Sequence, residues 1–221
     1  MSHLHACLSQ TFTPAELADA VRSTLGKPLR RAAALTQLAL VGALACLAPE
    51  RRNLPTVLLW QSTSGPRQET LALLDEMAEG GEPMPYDFLA TQPAIAAAQI
   101  QPYLPGLIAA SHCPLDVDGQ AHWTTLLMLA EQWLATGRCQ QVLCAQLDTW
   151  VEDASSHWLL LGDKALENPP ARLHLVENTA AGHPDQPELP SQLADWLAGD
   201  ALAFRLQAPA AFRQTVEFVR L

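Results

Sequence analysis

The sequence predicts an α/β protein of stacked layers, with helices on the faces of a mainly parallel sheet. Short apolar runs such as Thr56-Val-Leu-Leu-Trp60 and Gln141-Val-Leu-Cys-Ala-Gln-Leu147 alternate with helical stretches of ten residues or more. That alternation is the pattern of strands joined by crossover helices. Hydrophobic residues make up 49% of the 221 and charged residues only 16%, enough to fill a core and too apolar for a disordered chain. Two helical stretches, from Arg30 to Leu47 and from Gln120 to Thr136, are apolar around most of their circumference and need cover on several sides. At this length one domain spanning residues 1–221 is expected.

In chain order, residues 2 to 9 read as a strand. Thr13-Pro14-Ala15-Glu16 is a helix cap with proline in the first turn, opening a helix to about Thr24. The Arg30 to Leu47 helix follows and Pro49 stops it. Arg30-Arg31 ahead of an apolar run imitates a targeting signal. However, residues 1–29 precede it, and its uninterrupted apolar part, Leu38 to Ala48, falls short of the roughly 20 residues of a spanning helix. It reads as a buried core helix, with no membrane span. Thr56 to Trp60 is a strand, Ser62-Thr-Ser-Gly-Pro66 a turn, and Arg67 to Ala78 a helix ended by Gly80-Gly81. Glu82 to Phe88 reads as Pro-rich loop, Ala94 to Tyr103 as a helix, and Leu107 to Ala110 as a strand extending toward Val117. Gly137 is the natural C-terminal cap of the Gln120 to Thr136 helix. Strands are expected at Gln141 to Leu147, Trp158 to Leu161 and Arg172 to Val176. Residues 178–190 read as a linker or surface excursion, Ser191 as the cap of a helix to about Leu197, and Thr215 to Leu221 as a last strand.

A net charge of −10 argues against nucleic acid and anionic membrane surfaces as partners, since both need Lys/Arg patches. The five cysteines form no CxxC pair, which excludes a zinc ribbon. They read as reduced, small hydrophobes in a cytoplasmic protein. His3, His5 and Cys7 alternate, so on a regular strand they share one face, as metal ligands do. A polar strand edge is the favoured reading, and no metal or cofactor is expected. Asp116-Val-Asp118-Gly119 lacks the acidic residue that closes a calcium loop. Ser62 to Pro66 follows a strand as a phosphate cradle does, but lacks the GK[ST] ending. His112 and Cys113 are strand neighbours facing opposite ways, so they cannot form a catalytic dyad, and Cys113 is expected in the core.

The stretch Leu107 to Trp150 runs strand, short loop, long apolar helix, Gly137-Arg138, then an apolar strand ending Ala145-Gln-Leu-Asp148. In that order it resembles the centre of the thiolase-like β-ketoacyl synthases. Leu29-Arg-Arg31 with its helix is similar to their first long helix, and Thr56 to Gly65 to their second strand and turn. Gly80-Gly-Glu-Pro-Met-Pro-Tyr-Asp-Phe88 resembles their "G…P..F" loop, and Thr91 to Gln99 their interface helix. The resemblance covers residues 28–177 and implies a thiolase-like α-β-α half-fold.

In ketosynthases a nucleophilic cysteine begins the buried helix. Counting back that helix from Gly137 lands on Gln120, in Asp118-Gly-Gln-Ala-His122. A thiol at a helix N-terminus gains thiolate character and holds an acyl chain as a thioester; a glutamine amide does neither. Glutamine at this vestigial position resembles the chain-length factors, inactive partners of type II polyketide ketosynthases. The short chain is similar to the truncated chain-length-factor-like proteins of aryl polyene clusters, because no counterpart of the ketosynthase second half is seen. His157, His174 and His183 lack the surroundings of its catalytic histidines. Departures are Gln92-Pro93 in place of Asn-Ala, and Ala145-Gln146 in place of Gly-Gly.

The resemblance therefore implies a non-catalytic subunit paired with a full-length β-ketoacyl synthase, meeting acyl carrier protein only indirectly. Its interface residues would be Ala94, Ile95, Ala98, Gln99, Ile108, Ala110 and His112. The expected half-fold leaves one sheet face or edge uncovered. The alternative is a stand-alone acyl-transfer enzyme using Cys113.

Overall fold

The computed structural model describes residues 2–30, 32–113, 122–163, 169–179 and 181–221. Strand β1 (Ser2–Phe12) ends at a capping box in which the Thr13 hydroxyl accepts the Glu16 N–H at 3.4 Å and the Glu16 carboxylate accepts the Thr13 N–H at 2.8 Å. With Pro14 in the first turn, this fixes the start of α1 (Pro14–Leu25). Helix α2 (Ala34–Cys46) is buried at ten of its 13 residues, as a helix apolar all round must be. A Cβ on Gly42 would stand 2.0 Å from the Trp158 indole nitrogen, so only glycine lets α2 approach the sheet this closely.

Next come β2 (Thr56–Gln61), α3 (Arg67–Ala78), α4 (Pro85–Ala90), α5 (Pro93–Ile100) and β3 (Leu107–His112). Helix α4 lies within the stretch expected to be loop. Pro85 begins it, and the Asp87 carboxylate accepts the Met84 N–H at 3.0 Å. Helix α6 (Trp123–Ala135) begins three residues later than expected. Gly137 ends it at φ +70°, its N–H reaching the Leu134 carbonyl. The hairpin β4 (Gln141–Thr149) and β5 (Ala154–Gly162) leads to β6 (Ala171–Glu177), β7 (His183–Pro184), α7 (Leu189–Ala198), β8 (Ala203–Gln207) and β9 (Gln214–Arg220). Ser191 does not cap α7, which begins at Leu189; its hydroxyl bonds Ser9 instead.

The strands form one nine-stranded sheet in the order β3-β2-β4-β5-β1-β6-β9-β8-β7. The expected parallel pairing holds at the β3-β2-β4 core, where helices separate the strands. Beyond it the β4–β5 hairpin and the insertion of β1 between β5 and β6 make the pairing antiparallel as far as β8, and a short parallel β7–β8 pair ends the sheet, so the whole sheet is mixed. Helices α1, α2 and α5 pack on one face around Trp60 and Trp158. Helices α6 and α7 pack on the other with Trp123, Phe204 and Phe218. Helix α6 touches β1, β2, β4 and β9, so strands from both halves of the sheet cover it. Both faces thus carry helices, and the exposed feature is an edge: β3 pairs with β2 alone among the described residues.

Candidate functional site

The parallel strands β2 and β3 end beside the start of α6, so side chains from separate segments meet there. Gln61 closes β2, and the following turn is held by a buried carboxylate at the end of β4. Asp148 accepts the Thr63 and Ser64 N–H groups at 2.6 and 2.7 Å, the Ser62 hydroxyl at 3.2 Å and the Gln146 amide at 2.5 Å. The Gly65 N–H goes to the Ser62 hydroxyl at 2.7 Å. These amides would have to face a phosphate in a cradle. They are already taken, so Ser62 to Pro66 is a braced strand-to-helix turn.

The first turn of α6 is occupied in the same way. Asp185 accepts the Trp123 N–H on one carboxylate oxygen and the Thr124 N–H on the other, both at 2.9 Å. The Trp123 indole N–H donates to the Pro187 carbonyl at 3.1 Å. An internal anion thus sits on the positive end of the helix dipole. Burial pushes the Asp185 carboxyl above the usual carboxylate range, while the Thr124 and Trp123 hydrogen bonds and nearby His122 hold it back. Gln120, with Asp116, Asp118 and Gly119, lies outside the described residues.

A cavity of about 350 Å³ opens here, lined by Gln61, Cys113, His122, Leu126 and Phe212 among others. Cys113 is half-buried at its wall rather than in the core as expected. Its N–H continues the pairing with β2, donating to the Trp60 carbonyl at 2.7 Å. His112 packs its ring 4.5 Å from that of Trp60, within the opposite core, while Cys113 lies against the α6 core. The strand alternation separates them as expected. Burial pushes the Cys113 thiol up, against what a nucleophile needs. The other thiols go the same way: Cys7 and Cys46 to about 12, Cys139 to about 11, and Cys144 upward.

The alternating His3, His5 and Cys7 meet a register slip between Leu4 and Ala6, which breaks the period that would align them. Among the described residues no group of three His, Cys, Asp or Glu stands close enough to hold a metal ion. Nor is any described helix long and apolar enough to cross a membrane.

The residues expected at an interface divide. Ala94 and Ala98 of α5 and Ile108 and Ala110 of β3 line one groove of about 250 Å³ along the open edge. Ile108 is 57% exposed, high for a large apolar side chain. Ile95 and Gln99 turn instead into a cleft against Leu35 of α2 and Tyr86 of α4. In the sequence Asp148 stood out only as the acidic end of a strand, and Asp185 not at all. Each acts on a segment more than sixty residues away in sequence, and no local pattern marks such a partner.

Helices on both faces of a sheet, with a buried helix starting where the central parallel strands end, make a layered α/β fold. Its likeness to known proteins is structural. No family model and no curated protein matches the sequence. The complex of the ketosynthase ApeO with its chain length factor ApeC from Xenorhabdus doucetiae contains a chain that matches at TM-score 0.61 and 14% identity, over 99% of this chain and 99% of that one. The ishigamide ketosynthase/chain length factor matches at TM-score 0.57 and 13% identity, over 80% of this chain and 67% of that chain. At these identities the likeness is one of fold.

Proposed function

We infer that this chain is a chain-length-factor-like, non-catalytic subunit that pairs with a full-length β-ketoacyl synthase in polyketide assembly of the aryl polyene type. The observation that carries the reading is the match over nearly the full length of both chains to a chain of a ketosynthase–chain length factor complex. Two features of this molecule support it. The edge strand β3 offers unpaired backbone and the exposed Ile108 beside a groove formed with α5, a surface suited to a partner's strand and helix. The start of α6 holds the Asp185 carboxylate, which disfavours a second negative charge such as a thiolate there, and all five thiols are pushed up by burial.

In this role Ala94, Ala98, Ile108 and Ala110 contact the ketosynthase, with Ile95, Gln99 and His112 supporting them from behind. Gln120 marks the vestigial nucleophile position. The net charge of −10 leaves recruitment of an acidic carrier protein to the ketosynthase, since like charges oppose docking. Co-expression with the ketosynthase of its pathway, followed by size exclusion, tests the reading: one heteromeric species is expected, and two separate species overturn it. The alternative, an acyl-transfer enzyme using Cys113, draws on that thiol sharing a cavity with His122. Loss of an intrinsic acyl-transfer activity in Cys113→Ser would revive it.

A further inference from the structure

A helix on the surface of a globular fold ordinarily buries one apolar stripe. Helix α3 buries none of its residues. Polar contacts at its first turn hold it in place. The Glu69 carboxylate accepts the Ala34 N–H at the start of α2 at 3.0 Å, and the Gln68 amide donates to the Trp150 carbonyl. The far end then projects Leu71, Leu74 and Met77, spaced three apart on one side of the helix, at 48, 54 and 55% exposure. Helix α4, packed against α3, adds Met84, Phe88 and Leu89 at 65, 59 and 44%. Six large apolar side chains exposed within 24 residues are not the scattered surface hydrophobes of an ordinary monomer; they mark a contact surface.

Charge selects what covers it. Residues 67–90 hold six acidic side chains against one basic, Arg67, a net −5 and half of the chain's total of −10. Asp75, Glu76, Glu79 and Glu82 are exposed beside the apolar side chains. A second copy of this chain would set −5 against −5. An acidic carrier protein or an anionic membrane meets the same repulsion. The complement is an apolar groove rimmed by lysine and arginine.

We propose that the α3–α4 hairpin is a second docking element of this chain, and that it seats in a basic-rimmed apolar groove of the ketosynthase partner. The inference rests on the ketosynthase pairing argued above and extends it. Helix α4 packs on the side of α5 away from the β3 groove, so the hairpin and the open edge flank the same helix. The two elements differ in kind: pairing along β3 is apolar and backbone-mediated, whereas hairpin docking is steered by charge and weakens as salt rises.

The test titrates the full-length ketosynthase into this chain by calorimetry at low and high salt. Leu71→Gln, Leu74→Gln and Met77→Gln together remove the apolar face with a residue that favours helix. We expect at least a tenfold loss of affinity with unchanged far-UV dichroism. Glu79→Lys with Glu82→Lys reverses the rim charge. Here the expected result is tenfold weaker binding at low salt, with wild-type and variant affinities converging at high salt. This variant keeps the apolar face, so it decides the matter if the glutamine variant loses helicity. If wild type binds, Ile108→Asp abolishes binding, and both hairpin variants bind within twofold of wild type, the hairpin inference is overturned while edge pairing stands. If wild type binds no ketosynthase, both readings fall.

Discussion

The two sides of the parallel core have been finished differently. At the start of α6 the backbone amides have internal partners: Asp185 takes the helix amides and Asp148 takes the turn amides. Along β3, α5 and the α3–α4 hairpin the reverse holds, with an unpaired strand edge and exposed Ile108, Leu74 and Phe88. One side is filled by the chain's own carboxylates, and the other leaves apolar side chains exposed.

The sharpest way to break this comparison is chemical. Thiols pushed to about 12 from the ordinary 9.0 carry roughly a thousandfold less thiolate at neutral pH, so Cys7 and Cys46 should resist iodoacetamide in the native chain. Cys113, with its thiol also raised, should label more slowly than a free cysteine. Mass spectrometry of timed quenches measures this, and fast modification at Cys113 would return a nucleophile to the side described as filled.

The filled side should also be costly to disturb in folding. Leu126 is fully buried between α6 and the sheet, and Leu126→Ala is expected to lower stability by about 2–5 kcal/mol in urea titrations. Asp185→Ala should cost about 1–2 kcal/mol through the lost cap. Its pH dependence has a definite sign. Burial raises the folded carboxyl above its ordinary 3.8, so the folded state binds the proton more tightly than the unfolded chain. Relative to Asp185→Asn, wild type should therefore be most stable at low pH. It should lose that advantage as pH rises from 3.8 through the raised value. A difference that grows with pH would show that the hydrogen bonds outweigh burial.

The open side should give the smallest folding effect. Ile108→Asp is expected to move the unfolding midpoint by less than about 0.5 kcal/mol, as for an exposed site, while abolishing the heteromer. A large loss of stability would mean that Ile108 belongs to the chain's own core.

Features set by neighbours in sequence were legible. The capping box at Thr13, the glycine after α6, the apolar girth of α2 and the runs of β2 and β4 all follow from local pattern. Features set by distant partners were not. The alternation of helix and strand suggested a mainly parallel sheet. It carries no sign that β1 would enter between β5 and β6. Helix α4 hid in a stretch whose prolines signal loop, although Pro85 in fact begins the helix. Strand β8 is short, and only Phe204 and Leu206 show its period. At the site, the resemblance pointed to the edge residues Ala94, Ala98, Ile108 and Ala110, which the fold does bring together. Asp185 was invisible because a carboxylate between prolines acquires meaning only when the chain returns it to Trp123.

The place of β1 bears on how the molecule is made. Strand β1, ahead of every other strand in this sequence, is an inner strand of the finished sheet: His3 pairs with Gly162 on one side and with Arg172 on the other. Until those residues emerge, β1 and the apolar α2 have been synthesised without the strands that will cover them. Contacts of such sequence separation slow folding and lengthen the exposure of sticky surface. A nascent chain stalled before β5 therefore carries β1 without either of the strands that flank it in the finished sheet.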